Sequence, residues 1–179
     1  MTIFYDRKSL RLKGFDYTNY ASYFVTICSY ERKFLFGTVI NNEVQLNQNG
    51  QIVNIELNNL PNYYDNIYMH KYVVMPNHVH LLLSIISQDL VDLAEGNIPQ
   101  LNTSSLSQIV RHFKAGVTRA VNLNCQSVVK NNIWHKSFHD RIVRNEQEFE
   151  LFYNYIIINP AKWNDDCHNP ENVEYRKWN

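Results

Sequence analysis

The sequence is poor in cysteine, has no long apolar run and carries no net charge. Its three cysteines, Cys28, Cys125 and Cys167, are odd in number and far apart, which excludes a disulfide framework and a paired zinc motif, so we expect buried, reduced thiols. No stretch approaches the roughly 20 apolar residues of a membrane helix, and the start of the chain lacks the apolar core of a signal peptide. These absences predict a cytoplasmic protein without membrane contact.

The composition is that of a folded protein. With 179 residues, of which 45% are hydrophobic and 13% aromatic, the chain is expected to form one globular domain over 1–179. The 17 basic and 17 acidic residues cancel, but basic residues concentrate between 108 and 144. Such a block can form a phosphate-binding surface, although charge alone favours the plainer interpretation of a solvated helix face.

The first half of the chain alternates strand and helix patterns. A β-branched, aromatic strand is predicted over 22–30, followed by a hairpin over 35–46 that turns at Asn41-Asn42. Apolar residues near helical spacing predict a helix over 50–60, limited by Pro61. Two strand-like runs, 66–75 and 78–86, are separated by the turn pair Pro76-Asn77 and predict an antiparallel pair.

The second half adds two helices and a strand. A helix with a serine N-cap is predicted over 104–122, and a strand over 137–144. Asn145 with Glu148 resembles a capping box for a helix over 146–158, which Pro160 ends. Residues 87–103 are predicted to be a loop. Adjacent strands mixed with a few helices predict an α+β fold with a mainly antiparallel sheet and helices packed on it.

The stretch VVMPNHVHLLL (73–83) places two histidines in an apolar strand. Side chains alternate along a strand, so His78 and His80 share one face, about 6 to 7 Å apart along the chain, and can converge on one cation. A half-exposed strand with polar residues facing outward produces the same pattern. The pair alone favours that second interpretation, and a third ligand is needed to change the balance.

The last predicted helix offers candidates for that ligand. Tyr155 and Asn159 are four positions apart and lie on one helix face, whereas Tyr153 points nearly the opposite way. An amide oxygen beside two imidazoles suits a divalent ion such as Mg or Mn. The alternative is that Tyr155 is a packing residue and Asn159 a helix terminus, and Pro160 is expected to move Asn159 away from helical dihedrals.

Four segments, in order, resemble one known family. MPNHVHLLL resembles the His-hydrophobic-His (HUH) motif of single-tyrosine transposases, and FHDRIVRNEQEFELFYNYIIINPAKW is similar to the tyrosine-helix region of their REP-associated branch. YFVTICSYERKFLFG and SLSQIVRHFKAGVT also resemble that branch. The resemblance covers about residues 20–165, whereas the C-terminal NDDCHNPENVEYRKWN matches no catalytic element.

The resemblance implies a ferredoxin-like fold and a DNA transposase. By position, His78, His80 and Asn159 correspond to the ligands of a divalent metal, Mg or Mn, and Tyr155 to the nucleophile. The implied reaction is nicking and strand transfer of single-stranded DNA next to hairpins, through a covalent 5′-phosphotyrosine, by a monomer or homodimer that associates with the bacterial nucleoid when bound to DNA. His135 and His139 receive no role. Five basic residues are candidate DNA contacts: Arg111, Lys114, Lys136, Arg141 and Arg144.

Two other functions compete with the active transposase. One is a domesticated, non-catalytic module that binds DNA hairpins. The other is a histidine-triad nucleotide hydrolase, which ranks last because that family has a third histidine where this chain has Leu82.

Overall fold

A four-stranded antiparallel sheet, in the order β4-β5-β1-β6, organises the part of the chain that the computed structural model describes, residues 21–86, 104–124 and 132–172. Its strands are β1 (Ala21–Cys28), β4 (Ile67–Val74), β5 (His78–Ile85) and β6 (His139–Val143). The loop predicted over 87–103 lies outside the described residues.

Three α-helices and a small hairpin complete the fold. The hairpin consists of β2 (Gly37–Ile40) and β3 (Glu43–Leu46), and the helices are α1 (Gln48–Tyr63), α2 (Leu106–Asn124) and α3 (Glu146–Ile158). Short 3-10 helices cover Tyr30–Arg32 and Pro160–Asp165. Without the hairpin the order is βαββαβ followed by α3, and each neighbouring pair in the sheet is antiparallel, so the predicted ferredoxin-like α+β fold is confirmed.

One face of the sheet packs on α1 and α2. The helix α1 buries Val53, Leu57 and Leu60 against this core. The helix α2 adds an apolar stripe that is also buried: Leu106, Val110, Phe113, Val117 and Val121. The sheet contributes Val79, Leu81 and other alternate residues of its central strands. This face holds the main hydrophobic core.

The other face packs on α3 and is much less apolar. Its buried hydrophobic cluster consists of Leu82, Phe152 and Ile156, with Phe24 partly buried beside them. Phe24 stacks on Phe152 with ring centroids 4.5 Å apart. The histidine pair lies on this second face, next to the cluster.

The hairpin and α3 form as the sequence predicts. Asn41 and Asn42 both adopt positive φ, 52° and 65°, as a two-residue hairpin turn requires. The Asn145 side chain accepts a hydrogen bond from the Glu148 amide at the start of α3. The helix ends at Ile158, and Pro160 begins the following 3-10 helix.

The predicted bounds of α1 are wrong at both ends. The helix begins at Gln48, where Asn47 caps it by accepting a hydrogen bond from the Gly50 amide, and it continues past Pro61 to Tyr63. A proline this near the end removes a single backbone hydrogen bond, the one to the Leu57 carbonyl, and the helix extends only two residues beyond it. In the described ranges, no helix has the length and apolarity to cross a bilayer.

Candidate metal and tyrosine site

The histidine pair is fully buried. His78 and His80 project from the same face of β5, with ring centroids 4.5 Å apart, and their exposed fractions are 0% and 1%. The interpretation of the pair as outward-facing polar residues is therefore wrong, because α3 and the segment after it cover this face. Across the sheet, His78 pairs with Cys28 of β1 and His80 with Thr26.

Each imidazole is held through its Nδ1 atom. Nδ1 of His80 lies 2.9 Å from Thr26 Oγ1, and Nδ1 of His78 lies 2.8 Å from Asn77 Oδ1. The Asn77 amide nitrogen donates to two backbone carbonyls, so the atom facing His78 is the oxygen, which only accepts. His78 Nδ1 therefore carries the hydrogen, and its Nε2 has the free lone pair that a metal ion needs.

Both histidines are neutral at neutral pH. Burial lowers the pKa of His78 and of His80 well below the ordinary histidine value, and the neighbouring imidazoles lower both further. His78 Nε2 lies 3.9 Å from Asp166 Oδ2, but with a neutral ring this contact is not an ion pair. Neutral imidazole is the form that coordinates metals.

Asn159 and Asp166 face the histidines from the end of α3 and the segment that follows. Both are buried, and the Asn159 amide donates from Nδ2 to Asp166 Oδ2 at 2.8 Å, while Asn159 Oδ1 makes no hydrogen bond of ordinary geometry with the described residues. The expected distortion before Pro160 is wrong: Asn159 has helical dihedrals, φ −55° and ψ −43°. The chain turns directly from α3 into a 3-10 helix, so the helical conformation continues through Asn159.

Three unpartnered atoms make this pocket fit a divalent cation. Nε2 of His78, Nε2 of His80 and Oδ1 of Asn159 are buried and make no hydrogen bond with the described residues. The donor atoms of His78, His80 and Asp166 all lie within 4.8 Å of one another. Buried polar atoms without partners are costly, and two imidazole nitrogens with carboxylate and amide oxygens suit Mn, Mg or a similar ion.

Asp166 was missed by the sequence prediction. It lies in the C-terminal segment that matched no catalytic element, and the nearby His168 ring is tilted against that of His78, with centroids 4.6 Å apart. The only signal in the sequence is the density of ligand-type side chains in the run DDCH immediately after the helix. Nothing in that run distinguishes Asp166 from the exposed Asp165 beside it.

Tyr155 lies beside the histidines. Its ring makes edge contacts with His80 and Phe24, at centroid distances of 5.2 Å and 5.8 Å, whereas Tyr153 packs near Lys71 and Phe149. Partial burial, followed by the negative charge of Asp166, raises the pKa of Tyr155 well above that of ordinary tyrosine. The phenol is thus protonated at neutral pH.

The cysteine prediction is partly wrong. Cys28 is buried, with its Sγ 3.9 Å from His168 Nδ1, and burial raises the pKa of its thiol. Cys167 is exposed, since it lies in the turn between Asp166 and His168. Both thiols are free, and Cys125 lies outside the described residues.

The five candidate DNA contacts fall into separate places. Lys114 and Lys136 line a cleft of about 740 Å³ between α2 and residues 132–136, together with Arg119 and His135. The Lys114 ammonium donates to the His135 and Lys136 carbonyls, so it connects the two walls of the cleft as well as contributing charge. Burial lowers the pKa of this ammonium group.

The other three basic residues lie outside that cleft. Arg111 is exposed on α2, and Arg144 is exposed just before α3. Arg141 pairs with Glu148 at 2.8 Å and lies over the Phe152 ring, on the same sheet face as the histidines. His139 is exposed on β6, opposite Thr26.

Comparison with known proteins finds a relative along most of the chain. No family model matches the chain. An uncharacterized protein of Haemophilus influenzae is 35% identical over 167 residues, which is 89% of this chain and 91% of that protein. The chain belongs to the family of that protein.

A second relative and a solved structure carry a functional name. A Haemophilus influenzae protein named "Putative REP-associated tyrosine transposase" is 27% identical over 89 residues, half of this chain and 47% of that protein. A solved structure of a REP-associated tyrosine transposase bound to a REP hairpin covers 86% of this chain and 74% of its own, with a TM-score of 0.57 and 19% identity. The chain is thus similar to REP-associated tyrosine transposases, in fold and distantly in sequence.

Proposed function

We propose that the protein is a single-domain DNA transposase that nicks and transfers single-stranded DNA next to hairpins, with Tyr155 as the nucleophile. The observation that carries the proposal is one buried pocket in which the Tyr155 ring contacts His80, and His78, His80 and Asn159 each present an unpartnered donor atom. The similarity in fold to a REP-associated tyrosine transposase supports the same reaction class.

His78, His80, Asn159 and Asp166 are the residues that would hold a divalent metal, Mg or Mn. When bound, such an ion supplies Lewis acidity toward a non-bridging oxygen of the scissile phosphate. The buried histidines provide neutral nitrogen donors, and the Phe24 ring stacks on His80 at one side of the site, with centroids 5.1 Å apart.

The chemistry of Tyr155 is a transesterification. Its phenolic oxygen forms a bond to phosphorus while the bond from phosphorus to the 3′ oxygen breaks, and the phenol proton ends on the released 3′-hydroxyl. The product is a 5′-phosphotyrosine, which conserves the phosphodiester energy for rejoining to another strand. No nucleotide cofactor is required, in agreement with the absence of a GxxxxGK loop from the sequence.

The partner is single-stranded DNA that folds into a hairpin. The cleft with Lys114, Arg119 and Lys136 has no acidic residue in its described wall, which suits a phosphate backbone. Arg141 lies on the active face and is the candidate for contacts near the scissile phosphate, with Arg111 and Arg144 at the periphery. The enzyme acts as a monomer or homodimer.

The test is formation of a covalent adduct. The full chain is incubated with labelled single-stranded hairpin DNA from its own flanking repeats and Mn, and a denaturant-stable protein–DNA adduct is expected. Tyr155→Phe should form none, whereas the matched variant Tyr153→Phe, two positions away on another helix face, should form it normally. An adduct with Tyr155→Phe would show that the nucleophile is wrong.

A non-catalytic hairpin-binding module is the second candidate. The solved structure to which this chain is similar in fold is bound to a REP hairpin, which supports hairpin binding without testing the chemistry. The retained donor set around His78 and His80 opposes the module, since binding alone does not require buried, unpartnered donors. Tight hairpin binding without any covalent adduct in Mn or Mg would support the non-catalytic hairpin-binding module over the transposase.

A further inference from the structure

The residue before the histidine pair is linked to two sides of the candidate metal site. We propose that Asn77 is a positioning residue: its carboxamide selects the tautomer of His78 and also holds the turn that carries Asp166. The inference rests on the metal site of the proposed function and assigns a role to a residue outside the ligand set.

The three described hydrogen bonds of the Asn77 amide group are all directed at the site and its supports. The residue is 0% exposed, its Oδ1 lies 2.8 Å from His78 Nδ1, and its Nδ2 donates to the Arg32 carbonyl at 3.1 Å and to the His168 carbonyl at 2.7 Å. A flipped amide would place its oxygen against two carbonyl oxygens. The orientation is therefore determined by the surrounding backbone.

The first consequence concerns His78. Because Asn77 offers it only an acceptor, the imidazole keeps its hydrogen on Nδ1 and its lone pair on Nε2, the atom that faces Asp166. The other tautomer would place a hydrogen on Nε2 and prevent coordination. His80 lacks this constraint, because the Thr26 hydroxyl that contacts it can either donate or accept.

The second consequence concerns the turn after the 3-10 helix. Asn77 binds the His168 carbonyl, the His168 amide donates to Asp166 Oδ1 at 2.6 Å, and Asp166 Oδ2 accepts from Asn159. These bonds form a continuous path from the Asn77 amide to the two oxygen donors of the site. One side chain thus sets the nitrogen of His78 and the position of the facing oxygens.

Two substitutions separate these consequences. Asn77→Asp keeps an acceptor for His78 Nδ1 but has no donor for the Arg32 and His168 carbonyls, whereas Asn77→Ala removes all three bonds. Thr26→Val tests the corresponding support of His80. Asn66→Ala is the matched control, because Asn66 is also buried and donates to a backbone carbonyl, that of Ser104, without a described contact to the site.

The measurements are Mn binding by calorimetry on the folded, full-length chain without DNA, and the imidazole tautomer by long-range proton–nitrogen NMR on the metal-free chain. Asn77→Ala should weaken Mn binding about ten- to hundredfold and lose the fixed Nδ1–H tautomer of His78. Asn77→Asp should keep the tautomer and still bind Mn more weakly than the wild type, while Asn66→Ala should bind it normally.

Several results would overturn the proposal: wild-type Mn affinity in Asn77→Ala, an unchanged His78 tautomer in that variant, or no Mn binding by the wild type. If Asn77→Ala does not fold, the test rests on Asn77→Asp alone. Equal Mn affinity in Asn77→Asp and the wild type would show that Asn77 does not act through the turn that carries Asp166. Failure of the proposed function would give a different result. The wild type would then bind Mn with the expected dependence on Asn77 but would form no DNA adduct.

Discussion

Side chains on both faces of strand β5 are buried, but those on one face stabilise the fold and those on the other face destabilise it. Val79, Leu81 and Leu83 enter the core under α1 and α2, where each contributes burial of apolar surface. His78 and His80 enter the pocket under α3, where their Nε2 atoms are buried and gain no hydrogen-bond partner among the described residues. Each such atom costs about 1–3 kcal/mol. Alternation in this strand therefore separates packing residues from candidate metal ligands, and both sets are buried.

The largest expected contrast is between neighbours in this strand. Leu81→Ala should lower the free energy of unfolding by about 2–5 kcal/mol, because it opens a cavity in the main core, and the protein that stays folded should bind Mn normally. His80→Ala should cost less stability but abolish measurable Mn binding. Urea unfolding measures the free energy of unfolding of each variant. Titration with Mn in the absence of urea measures metal binding.

One result would contradict the expected difference between Leu81→Ala and His80→Ala. If Leu81→Ala weakens Mn binding as much as His80→Ala does, the two faces are mechanically coupled and the separation drawn above is wrong. A Leu83→Ala variant, whose side chain is buried on the same face as Leu81, serves as the matched control for an effect of core cavities in general.

The sequence predicted the elements and the face of the histidine pair because these follow from local periodicity. Alternation put His78 and His80 together, the spacing of four put Tyr155 and Asn159 on one helix face, and the Asn145 cap positioned the start of α3. These rules act within one element. They do not predict which elements pack together. The contact between the Tyr155 and His80 rings could therefore be identified only from the three-dimensional structure.

The rest of the site depends on contacts between segments far apart in the chain. Asp166 reaches the histidines because the 3-10 helix folds back under β5, and the Asn77 amide joins residues 91 positions apart. No periodicity marks either residue. The burial of the His pair was mispredicted for the same reason, since it depends on a cover supplied by α3 and the following turn.

A smaller effect is expected in the cleft between α2 and residues 132–136. Replacing Arg119 and Lys136 together by Gln removes two positive charges from the cleft without touching the tyrosine pocket. Hairpin binding should weaken, and the slope of log affinity against log salt should fall by about one to two. Adduct formation at saturating DNA should remain.

Arg111→Gln distinguishes the cleft from the helix as a whole. It removes one charge from the exposed side of α2, outside the cleft. A change in the salt slope for Arg111→Gln that equals or exceeds the effect of the cleft variant would move the DNA path away from the cleft.

The smallest effect is expected at the solvent edge of the α3 face. Hydrogen bonds from the Arg144 amide and the Arg141 side chain lower the pKa of Glu148 below its ordinary value. A lowered carboxyl pKa adds stability above the ordinary pKa, and this contribution is lost as the pH falls through the folded-state value. Glu148→Gln should therefore melt slightly below the wild type at pH 7.

The same comparison at acid pH completes this test. Below the lowered pKa the wild-type carboxyl is protonated and resembles the amide, so thermal melts of the two proteins should converge. A difference in melting temperature that is the same at both pH values would assign the effect to packing instead of charge.

The irregularity in strand β4 bears on self-association. β4 and β6 form the two edges of the described sheet; β4 has a register shift between Met69 and Lys71, and β6 is five residues long with two charged side chains. Bulged, short and charged edges resist pairing with a strand from another molecule. These features therefore disfavour extension of the described sheet, with the pocket on its strand β5, from one copy of the protein to the next.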